Sequence, residues 1–378
     1  MGQDISRRQL FSLGAVVALV PTLRLFPSQT ALVAGRGAWL TPLLALPLLL
    51  LWAWGMSKLL DARQAGETFP ALLLRLSGRG GRTVLALLGL WALFYTAFVL
   101  RSGADRLVGT VYPGASPAVF AQAMGLLALW AALSTPRALV RAGRMLLPLL
   151  MGALLLLLGF AAFSADTDNL LPLGPEHLLP ALQGAVVPLD VLTGAGTALC
   201  FLAGGLRTGA KPLFPALAVW SLGLSALLMG LSAAVTGVFG AALAASLSRP
   251  FFVLVRTLVF FRTVERVEAL VVMLWVFPDF LTAALFLWTA QDSLRRLLGY
   301  RPDTARHPRF DFTGGRWLIW VCGAAATLGG MLLAPDPAAL ERWSTVYVPA
   351  LNFAFVFGLL PAVYFVGRGK AKGLSADL

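Results

Sequence analysis

Most charged residues of this chain fall in short segments between long apolar runs, so the few inside a run are the ones placed to do chemistry. Arg24 stands between Pro21 and Pro27, and Asp190 stands just after Pro188 and just ahead of Thr193-Gly194-Ala195-Gly196-Thr197. A guanidinium in the middle of a bilayer costs roughly 3 kcal/mol on insertion scales, so Arg24 needs a partner, and Asp190 is the attractive one. The plainer alternative is a snorkelling or structural arginine. Arg101 and Asp105, four apart on one helix face, read as a mutual pair before they read as a proton path. Tyr95, one and a half turns earlier, can face a pocket. Asp279 follows Pro278 and is a candidate for ion or proton coupling, or for capping a kinked half-helix. Glu265, Arg266 and Glu268 read as an ion-pair cluster near the outer surface.

Several chemistries have no carriers. The sequence has no P-loop, no His/Glu metal pair and no Asp-rich transferase motif. His177 and His307 fall in loops on opposite sides, leaving Ser or Cys nucleophiles without a base. Cys200 and Cys322 lie inside apolar runs without metal-ligand spacing and read as small buried side chains. The expectation is a protein that is not an enzyme and needs no cofactor or metal.

The elements that position these residues are membrane spans. Hydrophobic residues make up 58% of the chain and charged residues 12%, against roughly 45–50% and 25% in soluble domains. Apolar runs near 20 residues, enough to cross about 30 Å of hydrocarbon, fall at 8–33, 39–60, 82–109, 117–134, 145–164, 183–205, 212–241, 265–298, 316–334 and 344–367. The expected fold is all-α and integral to the membrane, with about ten spans in one membrane domain. The net charge of +13 does not indicate nucleic-acid binding, because Lys and Arg cluster in alternate loops as the positive-inside rule requires. Both termini are thereby expected on the cytoplasmic side. Ser6-Arg7-Arg8 before an apolar run resembles a twin-arginine export signal, but reads better as a cytoplasmic arginine pair ahead of span one. Residues 246–268 strain the rule with Arg249, Arg256, Arg262 and Arg266 on the outer side. Either a short outer or re-entrant helix lies there, or span eight starts earlier.

Ten spans divide into five plus five, 1–164 and 165–378, and an odd number per half inverts the second repeat. In such transporters the binding site lies where matching spans are broken at mid-membrane. Spans one and six match, with breaks expected at Pro21–Pro27 and at Pro188 through Gly194–Gly196, since proline and glycine free backbone groups there. The expected substrate-binding set is Pro21, Thr22, Leu23, Arg24, Tyr95, Asp190, Thr193, Gly194, Ala195 and Gly196, with Arg24 and Asp279 as candidates for ion or proton coupling.

Three short patterns resemble one family. Ile5-Ser6-x-x-Gln9-Leu10-Phe11 is similar to its opening, and Asn169-Leu170-Leu171-Pro172 to its segment before span six. Arg249-Pro250-Phe251-Phe252 through Arg256, Val264-Glu265-Arg266-Val267-Glu268, Leu274-Trp275-Val276 and Phe280 resemble its span-eight region. The family is the endospore germination permeases, the B-type subunits of nutrient germinant receptors, within the amino acid/polyamine/organocation transporter superfamily. The resemblance implies ten spans with inverted repeats and a pocket at the breaks of spans one and six. It also implies the sensing of a small nutrient, typically an amino acid, in the inner membrane of an endospore former or its spore. A membrane-anchored A-type subunit and a C-type lipoprotein would be partners, besides the lipid bilayer. A free-standing proton-coupled amino-acid permease is the alternative. One departure concerns span one, where the family's break is usually glycine-bearing and this chain has Pro21-Thr22-Leu23-Arg24. Arg24 would then replace a coupling cation, or bind a ligand carboxylate beside a half-helix N-terminus.

Overall fold

A computed structural model of the chain describes residues 5–24, 26–64, 66–171, 174–206, 212–257, 267–300 and 315–367, without the side chains of 23, 24 and 267–273. Leu23, Arg24, Pro172, His307 and the Val264–Glu268 cluster therefore lie wholly or in their side chains outside the described residues.

The described chain is helical. Span one is α1 (Arg7–Arg24) followed by α2 (Phe26–Ala34), and α3 (Thr41–Asp61) is span two. A short α4 (Phe69–Ser77) leads into α5 (Gly81–Thr110), α6 (Pro117–Ala132) and α7 (Pro136–Ser164). The second half holds α8 (Leu178–Gly184), α9 (Val186–Cys200), α10 (Phe214–Ser246), α11 (Pro250–Thr257), α12 (Val267–Leu297) and α13 (Leu318–Leu333). The last span begins as α14 (Pro337–Arg342) and includes α15 (Val348–Phe353). Among the described residues, six helical stretches are long and apolar enough to cross a membrane, and α6 and α13 are shorter apolar helices.

Local sequence explains most helix starts. Ser6 and Gln9 form a reciprocal box at the head of α1: the Ser6 amide donates to Gln9 Oε1 (3.0 Å) and the Gln9 amide to Ser6 Oγ (3.3 Å). Prolines sit in the first turns of α3, α4, α6, α7, α10 and α14, where a missing N–H leaves nothing unsatisfied. Gly240 bends α10 at φ 73°, a conformation open to glycine, and the Asn169 amide donates to the Gly237 carbonyl (2.9 Å) beside the bend.

The antiparallel α5–α12 pair forms the most extensive helix contact. Gly89 abuts Ser293 near one end and Gly103 abuts Asp279 toward the other. α1 lies against α7, α9 and α12, while α3 packs on α9 and α10, and α10 on α2. Of residues 246–268, α11 (Pro250–Thr257) and the first turn of α12 are described, while 258–266 lie outside the described residues.

Candidate functional site

Prolines stand beside the junctions of α1 with α2 and of α8 with α9. α1 is described to Arg24 and α2 from Phe26, with Leu25 between them outside the described residues; Pro27 has no N–H for the Leu23 carbonyl. In span six α8 ends at Gly184 and α9 begins at Val186, and Pro188 likewise has no N–H for the Gly184 carbonyl. The two junctions share a level, because α1 packs on α9 below them and α2 on α8 above.

The expectation that span six unwinds at Gly194–Gly196 is corrected. α9 is continuous through Thr193, Gly194, Ala195, Gly196 and Thr197. Its glycines permit close packing instead. A Cβ on Gly196 would strike the Trp52 indole, and one on Gly194 would come within 3.1 Å of Asn352 Nδ2. Hydroxyls expected to face a ligand are bonded within their own helices, Thr22 to the Ala18 carbonyl (2.6 Å) and Thr193 to that of Asp190 (3.4 Å). Ala195 is buried and Pro21 half-buried.

Asp190 is buried at 8% exposure. Its Oδ1 accepts from Asn352 Nδ2 (3.0 Å), and Asn352 Oδ1 accepts from Trp91 Nε1 (3.1 Å). Spans six, ten and three are thus joined by one relay. Around it are aromatic rings: Trp91 stacks on Phe355 (4.3 Å), Tyr95 on Phe286 (4.3 Å), and Phe201 meets Trp91 edge-on (6.0 Å). Tyr95 is buried among these rings. Sequence reading missed Trp91 and Asn352. Asn352 is one of two asparagines in the chain, and a lone amide inside an apolar run costs free energy unless bonded. That was the available signal.

Asp279 lies elsewhere. It is 1% exposed and forms an ion pair with Arg106 of α5, itself 3% exposed. A carboxylate matched in this way reads as a clamp between α5 and α12. Asp105 stands 3.8 Å from Arg101 Nη1, as the i,i+4 spacing suggested, but its shorter contact is with Arg249 Nη2 at 2.6 Å. The arginine of the Arg-Pro-Phe-Phe pattern therefore pins the head of α11 to α5. Arg101 Nε donates to the Ala334 carbonyl (2.7 Å), and Arg106 lies over the Phe252 ring (5.9 Å).

The opposite end, where the chain begins, is also tied. The Ile5 amide donates to the Gly205 carbonyl (2.9 Å). Asp292 Oδ2 accepts from Thr68 Oγ1 (2.8 Å) and Arg296 Nε (3.0 Å). Glu67 accepts from Arg75 Nε (2.8 Å). Burial pushes the Glu67 carboxyl up, but bonds from Arg75 and the Gln64 amide outweigh it and hold the group below its usual value.

Residues 4–323 match the family model described as spore germination protein. The chain belongs to the spore germination permease family. No curated protein matches it in sequence. Among solved structures, this germination-family chain is similar to MhsT in complex with L-phenylalanine, at 16% identity and a TM-score of 0.67, covering 97% of this chain and 89% of that one. It is also similar to a Na⁺-coupled sialic acid symporter in a substrate-bound outward-open state, at 12% identity and a TM-score of 0.60, covering 94% and 80%. Both likenesses are of fold: that of inverted-repeat transporters with broken first and sixth spans. The germination-family chain is thus a multi-pass, permease-like membrane protein.

Proposed function

We propose that this protein is a germination permease-like subunit that binds a small nutrient germinant, an amino acid, at mid-membrane and signals by changing conformation. The observation that carries the reading is the buried Asp190 carboxyl, beside aromatic rings and near the matched interruptions, with no basic side chain at ion-pair distance among the described residues. A carboxylate at such depth calls for a cation, and an amino acid's ammonium supplies one. Arg24, at the end of α1 on the side of the interruptions that packs on α9, would take the carboxylate of the same zwitterion. Binding then shifts an equilibrium between pocket states by its differential affinity for them. The solved neighbours bear on ligand size: one holds L-phenylalanine and the other is a sialic acid symporter.

The same reading takes 1–164 and 165–378 as the two repeats, both termini as cytoplasmic, and the membrane as the inner membrane of an endospore former or its spore. An A-type membrane subunit and a C-type lipoprotein are the proposed partners. A thermal-shift screen in detergent against the twenty amino acids tests it, since a ligand of the folded state raises its midpoint with concentration. The shift is expected to vanish in Asp190→Asn and Arg24→Ala. A ligand whose shift survives both changes would remove the site from this pocket. Uptake of that ligand by proteoliposomes of the protein alone would instead favour a free-standing permease.

A further inference from the structure

Asn352 is oriented by its surroundings. The Trp91 indole can only donate, so the Asn352 carbonyl oxygen must face it and the amide nitrogen must face Asp190. The nitrogen sits 3.0 Å from Asp190 Oδ1, where a donor N–H from a ligand would also sit. It is a neutral donor, so it satisfies one acceptor and leaves the carboxylate's charge unanswered. Asn352 is 3% exposed, and α9 is stripped to backbone beside it at Gly194.

The segment carrying Asn352 is irregular helix on both sides. α15 (Val348–Phe353) lies between two π-helical stretches, Trp343–Tyr347 and Ala354–Leu359. A π turn holds an extra residue in the helical ladder, and such turns concentrate at functional sites. Converting one to α geometry shifts the following face by one residue, about 100° at 3.6 residues per turn. That is enough to swing Asn352 off Asp190.

We propose that the Asn352 amide is a built-in stand-in for the ligand: it occupies on Asp190 the place a ligand's ammonium takes, and binding displaces it together with this segment of span ten. The proposal rests on Asp190 being the ligand-binding acid. The ligand class it selects bears a primary or secondary ammonium, because an ammonium donates to the carboxylate as the amide does and adds the positive charge that the amide lacks. Deaminated carboxylic acids and neutral sugars lack the means to displace the amide. Span ten thereby becomes the element that reports occupancy of the pocket.

A stand-in competes with the ligand, and competition lowers apparent affinity by the fraction of sites held shut. Removing it therefore tightens binding, whereas removing a residue that merely shapes the pocket weakens it. Two variants of the full chain, purified in detergent, release the stand-in by different routes. Asn352→Leu deletes the amide at similar volume, and Gly194→Ala places a Cβ within 3.1 Å of Nδ2. Each is titrated with the twenty L-amino acids, then with the corresponding amine and deaminated acid of the best binder. The expected result is an apparent Kd about tenfold lower in both variants, response to the amine but not the deaminated acid, and no response in Asp190→Asn. Weaker binding in both variants, with Asp190→Asn still silent, overturns the stand-in and leaves the acid in the site. Binding retained in Asp190→Asn overturns the site itself. So does silence of every variant, Asn352→Leu included, because a freed carboxylate that attracts no ammonium is not a ligand acid.

Discussion

α5 carries two buried polar groups about two to three turns apart, and they are built differently. Around Arg101, Asp105 and Arg106, each charge meets an opposite one: Arg106 pairs with Asp279, and Asp105 lies between Arg101 and Arg249. Around Trp91 and Tyr95, the one acid is held by a neutral amide. A matched charge pair in a low-dielectric interior is hard to part, because each partner left alone bears a large desolvation cost. A carboxylate held by a single amide gives that bond up at about 1.5–3 kcal/mol, and a cation returns both a hydrogen bond and an opposite charge. The first group therefore locks helices together. The second is available for exchange.

The sharpest way to break this contrast is Arg106→Ala. It strands Asp279 at 1% exposure, and a loss of about 3–5 kcal/mol is expected, read as a lower unfolding midpoint in detergent. Arg106→Ala/Asp279→Ala should recover part of that loss. A double variant as unstable as the sum of the singles would show that the pair does not hold α12 to α5. Next is Gly196→Ala, whose methyl must displace the Trp52 indole; about 1–3 kcal/mol is expected from overpacking. A neutral outcome there would mean that the α3–α9 contact yields readily.

Asp190→Asn keeps an acceptor for Asn352, so its stability should stay within about 1 kcal/mol of the parent while ligand response disappears. The same change at Asp279 should cost several times more, and equal costs would erase the distinction between the two groups. The smallest effect concerns Glu67. Its folded-state pKa lies below its unfolded value, so its contribution is complete above the usual glutamate range and disappears as pH falls through the folded value. Glu67→Gln should flatten that acid limb by no more than about 1 kcal/mol, as expected of a pair whose Arg75 partner is 37% exposed. An unchanged acid limb would assign acid sensitivity to other carboxylates.

Much of the fold was legible in the residues. Runs of apolar residues gave α3, α5, α6 and α13 to within about two residues, whereas α7 starts at Pro136, well ahead of the run at 145–164. Pro188 accounts for the junction between α8 and α9 in span six. The displaced break at Gly194–Gly196 shows the limit of such reading. A glycine pair is the same in sequence whether it unwinds a helix or lets an indole approach, and the difference lies in Trp52 and Asn352, which are remote in the chain.

The same reason separates what each level decided. Membrane partition is a sum of local transfer free energies over about 20 residues, so sequence alone determined that the chain spans a membrane and where. Family membership likewise rests on short local patterns. Pairing of buried charges is settled by whichever partner the fold brings within a few ångströms. Arg249 and Asp105 are 144 residues apart, and Asn352 and Asp190 are 162 apart. No local pattern links them. Only packing of α5, α9, α12 and the last span decided that Asp279 is clamped and that Asp190 is held by an amide.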